Sequence, residues 1–265
     1  PTYAQEIRMP YYGEGLDGIL QTRADDLIGI LNGIDTQAFN PADDPLIPYP
    51  YDVVSLQQKK KNKKSLIKEL GLEITPAAPV IGMVTRLAKQ KGIDLVLHVF
   101  DEIIHSGAGF VLIGTGEREY EDFFRGIAHH TGNRAKGLTL FDDRLARRIY
   151  AGSDFFLMPS LFEPCGLAQM IALRYGTLPI VRATGGLRDT VCSYNEHTKE
   201  GNGFSFDNYN AHDMLHTIRY ALSIYQQKYR MALLRKRAMN QNWSFQKSAL
   251  AYAKLYILTC AQQTA

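Results

Sequence analysis

Two short segments carry residues whose types and spacing suit the binding of a phosphorylated sugar. The segment 158–167 (MPSLFEPCGL) follows an apolar run and places Glu163 ahead of a proline and a glycine, at a strand-to-helix turn. Upstream, Arg86 and Lys91 lie five residues apart, directly after another apolar run. Free backbone N–H groups at a helix start, together with two fixed cations, suit a diphosphate. Since a nearby carboxylate can bind sugar hydroxyls, the two segments together predict a nucleotide-sugar site.

Each segment has a simpler interpretation when it is taken alone. Arg86 and Lys91 could be a solvated pair at a strand–helix junction, because exposed cations are common. Glu163 could simply be a favourable charge at the positive end of a helix dipole. Two neighbours favour the functional interpretation. Pro164 removes an N–H that would lack a partner, and Gly166 lets a ligand approach the backbone.

The rest of the chain from residue 79 alternates β-rich runs with helical patterns. This order predicts an α/β fold, a Rossmann-like doubly wound parallel sheet with helices on both faces. The predicted strands are 80–84, 110–113, 138–141, 154–158 and 178–181. The predicted helices are 93–104, 117–129, 144–151, 167–175, 212–225, 229–239 and 244–258. Ligands of such sheets bind at the carboxyl ends of the strands, where both segments and the turn 184–186 are expected.

Composition narrows the class of protein. The chain has 265 residues, of which 45% are hydrophobic and 22% charged, as in ordinary globular proteins. A net charge of +3 is too small to indicate a nucleic-acid or membrane partner. Cys165, Cys192 and Cys260 are far apart and odd in number, which predicts no disulfide framework and a cytoplasmic location. No apolar run approaches the roughly 20 residues of a membrane span.

The first 50 residues differ in composition and predict a domain boundary. They are rich in Gly, Pro, Asp and Tyr, and the chain begins at Pro1 rather than at a methionine. We predict that residues 1–26 are the tail of an absent N-terminal domain and a linker, and that 27–265 form a C-terminal nucleotide-sugar-binding domain with its terminal helices. The apolar stretch 27–31 is expected to enter a strand, and the helix 244–258 to pack toward the absent half.

The chain resembles the bacterial glycogen synthases and the plant starch synthases, which are retaining glucosyltransferases with the two-domain GT-B fold. The resemblance covers nearly the whole chain and rests on motifs in a fixed order. The matching segments are 1–4, 15–18, 30–35, Arg86 with Lys91, 159–166, 175–181 and 184–191. It implies that the chain is the C-terminal, nucleotide-binding half of such an enzyme.

The resemblance also implies a role for individual residues. Arg86 and Lys91 would hold the diphosphate of ADP-glucose as it leaves, and Glu163 would contact the glucose, so these three are the expected catalytic residues. The expected substrate-binding residues are Asn32, Phe141, Cys165, Gly166, Leu167, Ala168, Thr184 and Gly185. Phe141 would offer an aromatic face to adenine, although a role as an ordinary core residue at a strand end is equally compatible.

The implied reaction moves glucose from ADP-glucose to the non-reducing end of an α-1,4-glucan with retention of configuration, without a metal or a cofactor. Many relatives carry a second carboxylate eight residues after the first, where this chain has Ile171. That difference favours front-side transfer, in which the leaving diphosphate assists the acceptor hydroxyl. The implied partners are ADP-glucose or ADP, the glucan and the missing N-terminal domain. Its Lys-x-Gly-Gly loop does not occur here, so the chain alone is expected to be inactive.

Two alternatives stay open from the residues alone. The chain could be a nucleotide-binding module without catalysis, or a NAD-dependent dehydrogenase that uses the turn at Gly114 and Gly116. The second is weak because Glu119 occupies the place of the third glycine of a dinucleotide fingerprint. One further charged feature is expected to be a solvated face of a surface helix. It is the lysine run Lys59, Lys60, Lys61, Lys63 and Lys64.

Overall fold

The β-rich runs form a six-stranded parallel sheet in the computed structural model, which describes residues 1–263. Its strands are β1 (Val80–Val84), β2 (Gly109–Ile113), β3 (Ala135–Leu138), β4 (Phe155–Met158), β5 (Leu178–Arg182) and β6 (Phe204–Phe206). They lie in the order β3-β2-β1-β4-β5-β6, which is the doubly wound order of nucleotide-binding folds. The predicted fold class is confirmed.

Helices connect the strands and precede and follow the sheet. They are α1 (Thr2–Glu6), α2 (Asp17–Thr22), α3 (Gln57–Leu70), α4 (Ile93–His98), α5 (Phe100–His105), α6 (Arg118–His130), α7 (Asp143–Gly152), α8 (Ala168–Arg174), α9 (Gly185–Thr190), α10 (Ala211–Tyr225), α11 (Lys228–Met239) and α12 (Phe245–Gln263). Within residues 1–263, no helix combines the length and the apolar character needed to cross a bilayer.

The sheet is covered on both faces because its strands are apolar on both sides. In β1, Ile81 and Met83 pack into one cluster with residues of α4, α5, α6 and α10. Val80, one position before Ile81 and therefore on the opposite face, packs into another cluster with residues of α3 and α7. Successive side chains of a strand point to opposite faces, so each strand holds both helical layers in place.

Most predicted elements are present, two of them differ in extent or position, and one strand was not predicted. The predicted helix 93–104 is two helices, α4 and α5, which are separated at Val99. The strand predicted at 138–141 lies at Ala135–Leu138, because Phe110 pairs with Ala135 and Ile113 with Leu138. β6 was not predicted; its three residues pair with β5 at the sheet edge.

The stretch 27–31 does not form the expected strand. Past it, a single parallel bridge joins Ile34 to Ser244, at the start of α12, and the Ile34 N–H donates to the carbonyl oxygen of Trp243 at 2.7 Å. The first residues of the chain also touch the domain, since Thr2 donates to the Asp189 carboxylate in α9. The N-terminal segment is therefore tied to α9 and to the start of α12.

The lysine run on α3 is not only a solvated face, so that prediction was wrong for two of its members. Lys59 and Lys63 are 3% and 5% exposed, while Lys60, Lys61 and Lys64 are exposed. Positions 59 and 63 are one helical turn apart and face the sheet. The ammonium group of Lys59 donates to two carbonyl oxygens of the last turn of α7, and that of Lys63 donates to Asp154 at 2.6 Å.

Asp154, just before β4, is the shared acceptor of this buried cluster. Its carboxylate accepts from Lys63 and Arg235, each at 2.6 Å, and from the Val80 N–H at 2.9 Å. Burial acts to raise the pKa of Asp154, but the two cations and the N–H outweigh it and hold the pKa below its ordinary value. The cluster joins α3, α11 and the amino ends of β1 and β4.

Replacing Asp154 with Asn is expected to lower the free energy of unfolding by roughly 3–5 kcal/mol, because two buried cations lose their counter-charge. A lowered pKa in the folded state stabilises the protein above the unfolded value of about 3.9 and loses this effect as pH falls through the folded value. The variant should therefore lose part of the acid dependence of stability. Urea unfolding at pH 7 and at decreasing pH measures both.

Asp25→Asn is the matched control, since Asp25 is exposed. Equal losses of stability in the two variants would contradict the role given to the buried cluster.

Candidate active site

The predicted site segments meet at one place because of the strand order. β1 and β4 are neighbours in the sheet although two strands separate them along the chain. At such a switch point the connections run to opposite sides and leave a crevice at the carboxyl ends. The loop with Arg86 and Lys91 follows β1, the loop with Glu163 follows β4, and Thr184 and Gly185 follow β5.

The loops after β1 and β4 are packed directly against each other. Gly92 has a φ of 71°, and a Cβ there would lie 2.1 Å from the carbonyl oxygen of Pro159, so only glycine fits. The carbonyl oxygen of Gln90 accepts from the Leu161 N–H at 2.8 Å, and the Gln90 amide donates to the Phe162 carbonyl oxygen at 3.4 Å. Gln90 thus joins the two predicted segments, a role that the sequence analysis missed.

Lys91 and Glu163 form an ion pair across this junction. The Lys91 Nζ lies 2.6 Å from Glu163 Oε2, and the hydroxyl of Ser160 donates to the same oxygen at 3.1 Å. Glu163 is 7% exposed, so the carboxylate is held in one position with little water around it. An ammonium has three donors, and within residues 1–263 the Lys91 ammonium has no other acceptor. It therefore keeps donors for an anionic ligand.

Arg86 lies exposed beside this pair. Its guanidinium donates to Gln90 Oε1 at 3.2 Å, and within the described chain it forms no ion pair. A guanidinium that is steadied by one amide and otherwise free suits a bidentate contact with a phosphate. The structure thus brings the three expected catalytic residues to one crevice.

The turn after Glu163 presents its N–H groups and hides its carbonyl groups. The side chain of Gln169 is fully buried and donates to the carbonyl oxygens of Cys165 at 3.0 Å and Gly166 at 2.9 Å. The N–H groups of Cys165, Gly166, Leu167 and Ala168 have no acceptor within residues 1–263. Sequence analysis missed Gln169, although its place in the first turn of the predicted helix 167–175 is a usable signal.

Thr184 and Gly185 lie against Glu163 but already have a partner. Gly185 has a φ of 46°, and a Cβ there would lie 2.0 Å from the carbonyl oxygen of Glu163. The Gly185 N–H and the Thr184 hydroxyl both donate to the carboxylate of Glu6, at 3.0 and 3.1 Å. A ligand at this turn would meet Glu6 first. No local sequence signal connects Glu6 to this turn, since 179 positions separate it from Gly185.

Asn32 and Phe141 are the remaining residues that were predicted to bind substrate. Asn32 is exposed, and its backbone N–H lies against the thiol of Cys165. Burial raises the pKa of that thiol, and the N–H only partly offsets the effect. Phe141 is 89% exposed in the loop after β3, so the alternative of a core residue was wrong. Its ring is open to a ligand at the carboxyl-end side of the sheet.

Arg182 is a further supporting residue that the sequence did not reveal. It is 7% exposed and donates to the carbonyl oxygen of Leu161 at 2.5 Å and to the Tyr12 hydroxyl at 3.0 Å. It therefore fixes the loop that carries Glu163 and joins it to the N-terminal segment.

Gly114 and Gly116 have a structural explanation that removes the basis of the dehydrogenase alternative. A Cβ at Gly114 would lie 1.7 Å from the Thr85 carbonyl oxygen, and one at Gly116 would lie 2.1 Å from that of Leu87. Both glycines let the loop after β2 run beside the loop after β1. The space that a dinucleotide would need at this turn holds protein backbone.

Comparisons with known proteins agree with this geometry. Residues 71–238 match the family model described as "Glycosyl transferases group 1". The glycogen synthase of Bacillus cereus strain Q1 is 54% identical over 256 residues, which cover 97% of this chain and 54% of that protein. The glycogen synthase of Anoxybacillus flavithermus strain DSM 21510 / WK1 is 53% identical over 256 residues, which cover 97% of this chain and 53% of that protein.

A solved structure matches just as fully. It is the catalytic domain of starch synthase IV from Arabidopsis thaliana bound to ADP and acarbose, with a TM-score of 0.92 and 38% identity, over 98% of this chain and 55% of that chain. The chain thus spans about half the length of the relatives that it matches. These matches show that the chain belongs to the group 1 glycosyltransferases and that nearly its whole length is similar to glycogen and starch synthases.

Proposed function

We propose that the chain is the donor-binding half of a glycogen synthase, which transfers glucose from ADP-glucose to the non-reducing end of an α-1,4-glucan with retention. The observation that carries the proposal is the Lys91–Glu163 pair, 2.6 Å apart in the switch-point crevice, with exposed Arg86 beside it. The starch synthase IV structure that matches over 98% of this chain holds ADP. This chain carries the cations that such a diphosphate needs.

Charge compensation is the first part of the proposed mechanism. As the bond between glucose C1 and the diphosphate oxygen breaks, negative charge grows on the diphosphate. Arg86 and Lys91 are already in place to stabilise it, and preorganised charge is the most effective kind of catalytic stabilisation. The N–H groups of residues 165–168 face the same ligand and bind phosphate or sugar oxygens.

Glu163 acts on the sugar. Its second carboxylate oxygen accepts no hydrogen bond from the described residues and binds glucose hydroxyls, while its negative charge stabilises the positive charge that develops near C1. Ile171, where many relatives carry a second carboxylate, is 7% exposed and packs in a core cluster. The acceptor hydroxyl therefore attacks from the face that the diphosphate leaves. It forms the new C1–O bond and passes its proton to the leaving diphosphate, with retention.

We assign the adenine of the donor and the acceptor glucan to the rim of the crevice and to the missing N-terminal domain. Phe141 offers its exposed ring to adenine, and exposed Asn32 contacts the glucose or the acceptor sugar. The missing N-terminal domain closes the other side of the crevice, so this chain alone binds ADP weakly and transfers little glucose. Charge on the diphosphate is balanced by side chains, so the reaction needs no metal or cofactor. We place the enzyme in the cytoplasm.

A nucleotide-binding module without catalysis is the second candidate, because the groups assigned to the diphosphate, Arg86, Lys91 and the N–H groups of residues 165–168, all lie in this chain. The Bacillus cereus relative, of which the chain covers 54%, is longer. The two candidates differ in whether the chain regains glucose transfer when the N-terminal half is present.

Calorimetric titration of this chain with ADP tests the assigned cations. Arg86→Ala and Lys91→Ala should each weaken ADP binding by about 1.5–3 kcal/mol, the usual loss for a charge-assisted hydrogen bond. Lys89→Ala is the matched control, because Lys89 is an exposed cation of the same loop. ADP binding that survives both substitutions, or NAD binding that survives them, would contradict the proposal.

Glucose transfer by the full-length enzyme tests Glu163. Glu163→Gln should lower kcat on the order of a hundredfold, as removal of a single preorganised charge partner does in other enzymes. ADP binding should change far less, because the carboxylate acts on the sugar. Glu119→Gln, at an exposed position of α6, should behave like the wild type. An unchanged kcat in Glu163→Gln would show that the carboxylate has no part in the transfer.

The rate of transfer by the full-length enzyme should not change when EDTA removes divalent cations, since Arg86 and Lys91 supply the positive charge. The measurement is initial rate against EDTA concentration, with a magnesium-dependent kinase assayed in parallel to verify chelation. A loss of activity that added Mg²⁺ restores would overturn the metal-free mechanism.

A further inference from the structure

A second concave site lies at the opposite end of the sheet. A cavity of about 500 Å³ opens between α3 and α11, in the size range of small-molecule pockets. Asp154, in its wall, precedes β4, whereas Glu163 follows β4. The cavity therefore lies at the amino ends of the strands, away from the crevice of the proposed donor site.

The wall of this cavity is strongly basic. Six basic side chains line it against one carboxylate, that of Asp154. They are Lys59, Lys60, Lys63, Lys64, Lys228 and Arg235. Lys63 and Arg235 share Asp154, so its single negative charge is already used. The concave shape focuses the remaining positive potential inside the cavity.

Several donors of this wall have no anionic partner. Lys60, Lys64 and Lys228 are exposed and form no ion pair with any residue from 1 to 263. The Nε–H of Arg235 is buried and has no acceptor in that range. Lys59 contributes less to this charge, because burial, and next the charge of Arg235, hold its pKa well below the usual range. Positive charge at this end of the sheet thus exceeds what the protein itself neutralises.

The wall also has an apolar part. Leu56, Pro76, Ala77 and Met231 line it together with the ring of Tyr225. Lysine ammonium groups act as point charges on phosphates, and apolar surface suits the carbon part of a small organic molecule. A wall of both kinds fits a compact phosphorylated molecule better than a polymer, which needs an extended surface.

We propose that this cavity binds a small phosphate-bearing anion, with Lys60, Lys64 and Lys228 as its mobile ligands and Arg235 as its inner donor. The proposal does not depend on the function of the crevice. Because the cavity contacts both α3 and α11, and α11 also packs on α8, an occupied cavity would order helices that support the active-site turn.

Pyrophosphate titration of the chain by calorimetry tests the site. The titration uses Arg86→Ala/Lys91→Ala protein, so that the crevice does not contribute. In that background the triple change Lys60→Gln, Lys64→Gln and Lys228→Gln should weaken pyrophosphate binding at least tenfold. The matched control changes Lys61, Lys68 and Lys236 to Gln. These are also exposed, two on α3 and one on α11, and do not line the cavity.

Saturable binding that the first triple change removes and the matched change retains supports the proposal. An absence of binding in the Arg86→Ala/Lys91→Ala background overturns it. Equal weakening by both triple changes overturns it as well, because general surface charge would then explain the binding. Circular dichroism of all variants verifies that Gln at these exposed positions leaves the fold intact.

Discussion

The ion pair between Lys91 and Glu163 is the contact on which the active-site arrangement depends. It joins the loops that follow β1 and β4, two strands that become neighbours only because the sheet order reverses there. Gly92 lets the two loops come into contact. Gln90 forms hydrogen bonds from the first loop to the second, and Ser160 donates to Glu163 within the second loop. Gln169 binds the carbonyl groups of the turn that follows Glu163. Once the pair is formed, a carboxylate and an ammonium are both fixed at the mouth of the crevice, before any ligand arrives.

The same two strands carry a second charged centre at their other end. Asp154 lies between Lys63 and Arg235 and ties α3 and α11 to the sheet. The two centres differ in how far their carboxylate balances the neighbouring basic side chains. At the carboxyl ends Lys91 is balanced by Glu163, and Arg86 forms no ion pair within residues 1–263, whereas at the amino ends one carboxylate faces six basic side chains. Strand β4 thus connects the proposed donor site to a cavity whose lining is mostly basic.

The N-terminal segment closes on the domain through the turn after β5. Glu6 accepts from Thr184 and Gly185, and Tyr12 accepts from Arg182, which also holds the loop of Glu163. These contacts place the first residues of the chain beside the active-site turn.

The sequence by itself determined the class of fold, the approximate position of most strands and helices, and the segments that meet at the carboxyl ends of β1 and β4. Alternating apolar runs are local patterns. Arg86, Lys91 and Glu163 each lie in a short segment that is followed by a glycine or a proline. Only the tertiary structure decided the strand register that leaves Phe141 exposed, the burial of Lys59 and Lys63, and the filling of the 184–185 turn by Glu6. Each of these depends on groups that lie at least 25 positions apart in the chain and meet only in the folded protein. A local sequence pattern does not indicate which distant residue will neutralise a charge or accept a hydrogen bond.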